Sequence, residues 1–189
     1  MSEKEKVGVL ADAFAETVKD FPEIVYLGEP VLRTVTGEVS VEEGKQIGEH
    51  LGAILIRYHT KTGIGRGLAA PQIGLSKRVF VTYLEDKVQT YINPEIIWQS
   101  EETNFYRELC LSSGTMWADV ERPEYIKIRW TDEEGLEHEE TFDGFLARLI
   151  QHEYDHMEGM VNLDKAVTGT ISLATDDPLK EQLRDKPLN

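Results

Sequence analysis

The sequence predicts a single domain of the α+β class, formed from all 189 residues. Apolar residues recur at helical spacing in two early segments and in a third near residue 150, whereas β-branched and aromatic residues alternate between them. Helices that are separated along the chain from a run of strands are typical of α+β folds. No repeat, low-complexity segment or change of composition marks a domain boundary, so we expect residues 1–189 to form one domain.

Two helices are predicted in the first 63 residues. The first is amphipathic and ends before Pro22, because proline cannot continue a helix. Its apolar positions are Val7, Leu10, Ala11, Phe14, Val18 and Phe21. The second helix begins at Ser40, which is expected to form a capping box with Glu43, and it stops at Gly63. Its apolar stripe consists of Ile47, Leu51, Ile54, Leu55 and Tyr58.

Strands and a third helix are predicted after the glycine-rich stretch 63–74. The strand candidates are residues 78–83, residues 89–93, residues 125–130 and Glu139–Phe142. Residues 131–140 are highly charged and contain Gly135, which indicates the tip of a hairpin. Asp143 is expected to cap a helix that runs from Gly144 to about Glu158. A polar tail follows it.

Composition excludes several classes of protein. The chain has 20 Lys and Arg against 35 Asp and Glu, a formal net charge of −15, so binding to nucleic acid through a broad basic surface is not expected. A single cysteine excludes a disulfide framework and suits a reducing compartment. The N-terminus does not read as a targeting peptide and no apolar run is long enough to cross a membrane. We therefore expect a cytoplasmic protein.

The clearest chemical motif is H-E-x-x-H in the third predicted helix. His152 and His156 are four residues apart, so both imidazoles lie on one helical face and can hold one metal ion, with Glu153 beside them. The apolar positions of this helix place all three side chains toward the core. The alternative is a pair of core histidines bonded to backbone, but three buried polar groups without a metal are costly to satisfy.

The motif supplies two metal ligands and does not identify the third. The sequence after His156 follows the metzincin pattern until Asn162 stands where that pattern has a histidine. A zincin would need a downstream glutamate, and the candidates are Glu158, on the wrong face, and Glu181, in the polar tail. Cys110, the one cysteine, gives a better Cys/His/His set. Three protein ligands leave one coordination position for water, which is typical of catalytic sites.

A glycine-rich segment, Gly65 to Gln72, provides the last element. It lacks the sequence of a phosphate-binding P-loop. Closely spaced Gly and Ala allow backbone to approach a ligand, and the Gln72 amide could donate hydrogen bonds to a developing oxyanion. Taken alone, the segment is better explained as a tight loop than as a site.

Three motifs in order resemble those of the peptide deformylase family. Residues 65–72, GRGLAAPQ, resemble the family's G-x-G-L-A-A-x-Q motif; residues 108–112, ELCLS, resemble E-G-C-L-S; and residues 151–156, QHEYDH, resemble Q-H-E-x-D-H. Further similarity lies in residues 24–33 and 91–95, so the resemblance extends over about residues 23–165. It implies antiparallel sheets packed around a central helix that carries H-E-x-x-H.

The resemblance also implies a reaction, a metal and a set of site residues. The reaction is hydrolysis of the formyl group from the N-terminal formylmethionine of nascent polypeptides, in contact with the ribosome in some family members. The implied metal is Fe²⁺, with Zn, Ni or Co able to replace it, held by Cys110, His152 and His156. Glu153 is then the general acid and base, and Gln72 with the backbone N–H of Leu111 binds the oxyanion. Substrate-binding positions are Gly65, Arg66, Gly67 and Leu109.

Two of these positions depart from the family pattern. Leu109 replaces the glycine before the metal cysteine, and Arg66 replaces an aliphatic residue between the motif glycines. Both leave open a metallohydrolase with a different N-acyl peptide specificity, or a non-catalytic metal-binding or peptide-binding module. The C-terminal residues 176–189 carry three basic and four acidic side chains, so a basic ribosome-docking tail is not expected.

Overall fold

The computed structural model describes residues 1–175 and 183–187 and shows the expected mixture of helices and antiparallel sheets. The predicted α+β class is therefore confirmed. Three α-helices occur in the described residues: α1 (Glu3–Asp20), α2 (Val41–Thr62) and α3 (Gly144–Met157). Within the same residues, no helix is both long and apolar enough to cross a membrane. Glu181 and most of the charged tail 176–189 lie outside the described part of the chain.

The helices begin and end close to the predicted residues, but the predicted capping hydrogen bonds are only partly present. The Ser40 hydroxyl accepts a hydrogen bond from the Glu43 backbone N–H, but the Glu43 carboxylate does not return it and instead pairs with Lys77. The predicted capping box is thus only half formed, because an ion pair competes for the glutamate. Gly63 ends α2 in the left-handed region, at φ 75°, where glycine is favoured. Asp143 occupies the N-cap position of α3 without a side-chain capping bond.

The larger sheet has five antiparallel strands in the order β1-β2-β3-β6-β7. Its strands are β1 (Gly67–Ala69), β2 (Val79–Leu84), β3 (Lys87–Gln99), β6 (Ile126–Thr131) and β7 (Glu137–Phe142). β3 has 13 residues where residues 89–93 were expected, because a register shift between Ile92 and Glu95 lets the strand continue past Pro94. The hairpin tip is shorter than the predicted 131–140, since cross-strand pairing resumes at Glu137.

The family resemblance implied more than one antiparallel sheet, but the strands of the smaller sheet were not predicted. It pairs β4 (Thr103–Leu109), β5 (Met116–Pro123) and β8 (Ser172–Leu173) in the order β4-β5-β8. Residues of β4 are mostly half-buried and do not alternate between apolar and polar, so the usual period of two is absent. This sheet matters for function because β4 leads directly into Cys110.

Helix α3 lies in the interior, where its buried residues pack against both sheets. Ten of its fourteen residues are buried, from Ala147 through Met157, including polar side chains. By contrast, α1 has no buried residue, and Val7 and Val18 from its predicted apolar stripe are 38% and 39% exposed. Only Phe21, just past the helix, is fully buried. The amphipathic face of α1 borders an open cavity rather than a packed core.

Candidate metal centre

Cys110, His152 and His156 converge although two segments supply them. His152 and His156 lie one turn apart on the buried face of α3, and Cys110 follows β4. One ligand atom from each residue lies within 4.8 Å of the others, and Cys110 Sγ is 3.4 Å from His156 Nε2. In a tetrahedral site with ordinary metal–sulfur and metal–nitrogen bonds, such atoms are about 3.5 Å apart. The donor set therefore fits a single divalent metal ion.

Glu108 fixes the orientation of one of these histidines. Its Oε2 lies 2.8 Å from His152 Nδ1, which leaves Nε2 of the same ring available for a metal. Arg122 binds both oxygens of the Glu108 carboxylate, at 2.6 and 2.9 Å, and Arg148 donates to Oε1 at 2.7 Å. On its other side, Arg122 pairs with Asp155 at 2.7 Å. A buried ion network thus holds the histidine in place.

The electrostatics favour a charged Glu108 and a thiolate at Cys110. Burial alone would raise the pKa of Glu108, but Arg122 and His152 hold it well below its usual range. Burial would likewise raise the pKa of the Cys110 thiol, but the charge of His156 and hydrogen bonds with His152 and His156 lower it well below its usual value. Thiolate is the form of cysteine that binds metals.

Glu153 has the environment of a proton-transfer group. Burial raises the pKa of Glu153 to about 7, although the charges of His152 and His156 act in the opposite direction. Its Oε2 is buried and has no hydrogen-bond partner among the described residues. Gly67 provides the space for this carboxylate: a Cβ added there would lie 2.6 Å from Cδ and 2.8 Å from Cγ of Glu153. The Gly67 backbone therefore lies directly against the Glu153 side chain.

Gln72 is held beside the cysteine. Its Oε1 accepts a hydrogen bond from the Ala69 backbone N–H at 2.8 Å, which orients the amide. Its Nε2 then lies 3.6 Å from Cys110 Sγ and 3.4 Å from Ser112 Oγ. Leu111, the next residue after the cysteine, and Gln72 both line the cleft that opens beside the metal ligands. The donors expected for an oxyanion are thus next to the candidate metal ligands.

The alternative zincin ligands lie elsewhere or have other partners. Glu158 pairs with Arg78 at 2.7 Å, so its carboxylate is directed away from the two histidines. Asn162, at the metzincin histidine position, accepts from Ser113 Oγ at 2.7 Å and donates to the Glu108 backbone carbonyl at 2.9 Å. This asparagine therefore stabilises the segment on both sides of Cys110.

A cleft of about 140 Å³ opens next to these groups, and both family departures line it. Leu109 stands between this cleft and a second cavity. The guanidinium of Arg66 is 2.6 Å from His59 Nδ1 on α2, so its charge has a partner within the protein. Gly65, at φ 86°, adopts a conformation that glycine favours, and a Cβ there would lie 2.9 Å from the Tyr58 ring.

Several cleft residues were missed by sequence reasoning. Arg148 is 3% exposed and lines the cleft together with Tyr106, Phe145 and Leu149. The sequence did contain a sign of Arg148, because it lies four residues before His152 and therefore on the buried face of α3. Since arginine is rarely buried without a partner, its position predicted a buried acidic partner nearby. Arg122 carried no such sign, because its partners are distant in sequence.

A buried Cys/His/His set, an adjacent glutamate of raised pKa and an open cleft together define a mononuclear metallohydrolase. Comparison with known proteins identifies the family. The family model described as Polypeptide deformylase matches residues 21–170, and the chain belongs to the peptide deformylase family.

Individual relatives agree with this assignment. A peptide deformylase of Treponema pallidum (strain Nichols) is 42% identical over 145 residues, covering 76% of this chain and 86% of the relative. The crystal structure of peptide deformylase from Thermotoga maritima has a TM-score of 0.70 at 35% identity, covering 76% of this chain and 96% of that one. A class I type b peptide deformylase from Acinetobacter baumannii, solved with Met-Ala-Ser bound, has a TM-score of 0.69 at 30% identity, covering 75% and 96%.

Proposed function

We propose that this protein removes the N-formyl group from the N-terminal formylmethionine of nascent polypeptides, releasing formate and a free amine. The observation that carries the proposal is the convergence of Cys110, His152 and His156 beside Glu153, in a chain of the peptide deformylase family. The chain is an enzyme, a metal-dependent amide hydrolase. A relative has been solved with Met-Ala-Ser bound, and this tripeptide is what remains when formyl-Met-Ala-Ser loses its formyl group. The complex supports a peptide substrate for this protein.

The metal site is assigned to Cys110, His152 and His156. A divalent ion there supplies Lewis-acid activation of water and of the formyl carbonyl. Fe²⁺ is the ion we propose, with Zn, Ni or Co able to occupy the same ligands, because one thiolate with two imidazoles suits all of them. Glu108 keeps His152 in the tautomer and orientation that metal binding requires.

The remaining residues act on protons and on developing charge. Glu153, buried beside the metal ligands, accepts a proton from the attacking water and delivers it to the nitrogen of the leaving amine. Gln72 Nε2 and the backbone N–H of Leu111 donate to the oxyanion that forms on the formyl oxygen. Gly65, Arg66, Gly67 and Leu109 form the walls of the cleft that receive the substrate.

We further propose the cellular setting of the reaction. All of residues 1–189 form one catalytic domain that acts in the cytoplasm on peptides emerging from the ribosome. The acidic net charge of −15 supports a substrate bound through peptide contacts rather than through direct binding of ribosomal RNA.

The test is formate release by the Fe²⁺-loaded enzyme under anaerobic conditions. Formyl-Met-Ala-Ser is expected to give stoichiometric formate, whereas acetyl-Met-Ala-Ser, with a larger acyl group in the same position, is expected to react far more slowly. Faster reaction of the acetyl peptide would establish a different N-acyl specificity. Metal bound at one ion per chain without any product from either peptide would identify a binding module instead.

A further inference from the structure

A second cavity lies between α1 and the body of the protein. It has a volume of about 450 Å³, and apolar side chains form most of its walls. Leu10 and Phe14 contribute from α1, and Ile24 and Tyr26 contribute from the segment that follows. The family match starts only at residue 21, so α1 adds a wall that the matched region does not contain.

This cavity adjoins the metal cleft. Five residues line both spaces: Tyr58, Ile64, Leu109, Leu111 and Gly114. Leu109 and Leu111 flank the cysteine in sequence, so the boundary between the two spaces lies next to the candidate metal ligands. The surface beside the candidate metal ligands therefore extends, through these shared residues, to the cavity that α1 borders.

The size of the metal cleft limits what it can hold. Its volume of about 140 Å³ is close to that of an engineered cavity of roughly 150 Å³ that binds one benzene molecule. In a formylated peptide the reacting carbon is two bonds from the first Cα, so the first side chain must occupy this cleft. The cleft has no room for the later residues of the peptide in addition to the first side chain. These later residues must therefore lie in space that adjoins the cleft.

Helix α1 is anchored where it borders that space. The Phe14 ring packs edge-on against Tyr26, with 5.3 Å between ring centroids. The same ring approaches Gly114 so closely that a Cβ there would lie 3.1 Å from it. Because Gly114 also lines the metal cleft, Phe14 is one residue away from the substrate surface. The anchoring gives the apolar wall a defined position.

We propose that α1 completes a subsite that binds an apolar side chain from one of the two residues that follow the formylated residue. The inference rests on the proposed function, because the substrate is placed by its formyl group at the metal. Leu10 and Phe14 provide apolar surface that an alanine or an acidic side chain cannot use. Leu109, at the boundary, then separates the first side chain from the next ones rather than blocking the cleft.

The test compares kcat/KM for formyl-Met-Ala-Ser with formyl-Met-Leu-Ser, formyl-Met-Ala-Leu and formyl-Met-Glu-Ser. At least one leucine peptide is expected to react about tenfold better than the alanine peptide, the size of effect that partial burial of a leucine gives. Phe14→Ala and Leu10→Ala should reduce this preference to about twofold or less. Val9→Ala is the matched control on the same helix, because Val9 is 59% exposed and lines neither cavity.

Ratios within one preparation are independent of its active fraction, so partial unfolding of a variant does not affect them. Equal kcat/KM for all four peptides in the parent, or an unchanged leucine preference in both cavity variants, would overturn the subsite. Such results would leave deformylation of formyl-Met-Ala-Ser intact. If no peptide yields formate, calorimetric affinities decide separately: tighter binding of the leucine peptides supports the subsite, and equal binding refutes it.

Discussion

Individual side chains of this protein do more than one task at the candidate metal centre. Glu108 orients His152 and also balances the charges of Arg122 and Arg148. Asn162 replaces a metal ligand of another enzyme class and binds the backbone of Glu108 instead. Substitutions here therefore differ in whether they remove the metal, the proton-transfer group or the support for either.

Replacing the cysteine tests the proposed ligand set. Cys110→Ala should lose stoichiometric metal and essentially all activity, since two imidazoles alone bind a divalent ion weakly. Elemental analysis after desalting measures the metal, and formate release measures the activity. Full retention of metal by Cys110→Ala would refute the three-ligand assignment and would favour a zincin-like ligand set.

Replacing the glutamate separates chemistry from metal binding. Glu153→Gln should retain nearly one metal per chain, because Glu153 is assigned as a proton carrier and not as a ligand. Its kcat should fall by about 10²-fold or more, as expected when a general acid and base is removed. Unchanged turnover of the metal-loaded variant would exclude Glu153 from the reaction.

The supporting carboxylate should affect metal affinity. Glu108→Gln removes the charged acceptor for His152 and is expected to weaken metal binding about 10–100-fold. Competition with a chelator gives the affinity. The matched control is Glu158→Gln, which breaks an ion pair with Arg78 outside the metal centre and should bind metal as the parent does. Equal affinity of the two variants would contradict a positioning role for Glu108.

At the scale of whole elements, close approach between α3 and β1 shapes the site. The short strand β1 begins at Gly67, and the backbone of Gly67 lies against the side chain of Glu153 on α3. Such an approach is available only to glycine, since any Cβ would overlap the Glu153 carboxylate. The glycine-rich motif therefore serves the base of the reaction as well as the substrate.

Adding one methyl group to β1 tests this contact. Gly67→Ala places a Cβ 2.6 Å from Glu153 Cδ, so the carboxylate must move. We expect kcat to fall at least tenfold while the metal content stays near one per chain, because Glu153 and not a ligand is displaced. Gly37→Ala serves as control, since a Cβ at Gly37 meets nothing within 4 Å. Parallel losses of metal and kcat in Gly67→Ala would show that the contact is merely structural.

At the scale of the molecule, the candidate metal centre connects parts of the fold that are far apart in sequence. Cys110 directly follows a strand of the smaller sheet, whereas the histidines belong to the central helix. The buried ion network crosses the same boundary, from Glu108 on β4 through Arg122 on β5 to Asp155 on α3. A bound ion should therefore stabilise the fold as well as catalyse.

The effect on stability can be calculated from linkage. A ligand that binds only the folded state at 100 times its Kd adds about 2.7 kcal/mol, which for a domain of this size raises Tm by about 5–10 °C. The metal-loaded parent should melt higher than the chelator-treated parent by this amount. Cys110→Ala should show no such difference. Equal melting temperatures for the loaded and stripped parent would contradict an ion that joins β4 to α3.

The sequence by itself determined the local features of this protein. The four-residue spacing of His152 and His156 places both rings on one face of any helix that forms there, and Gly63 predicts the end of α2 for a similarly local reason. The order of three motifs indicated the family, and the structure then confirmed the fold that the family implied. These features depend on residues within a few turns of one another or on residue identity alone.

Only the tertiary structure decided what comes together from a distance. β4 and β5 lack the alternation that reveals a strand, yet they pair in register from Thr103 opposite Pro123 to Leu109 opposite Trp117. The joint contacts of Glu108 with Arg122, Arg148 and His152 span up to 44 residues of chain. The same holds for α1, whose apolar stripe predicted a helix but not the cavity that it borders. Periodicity reports which face of an element is apolar, and the partner of that face depends on how the whole chain packs.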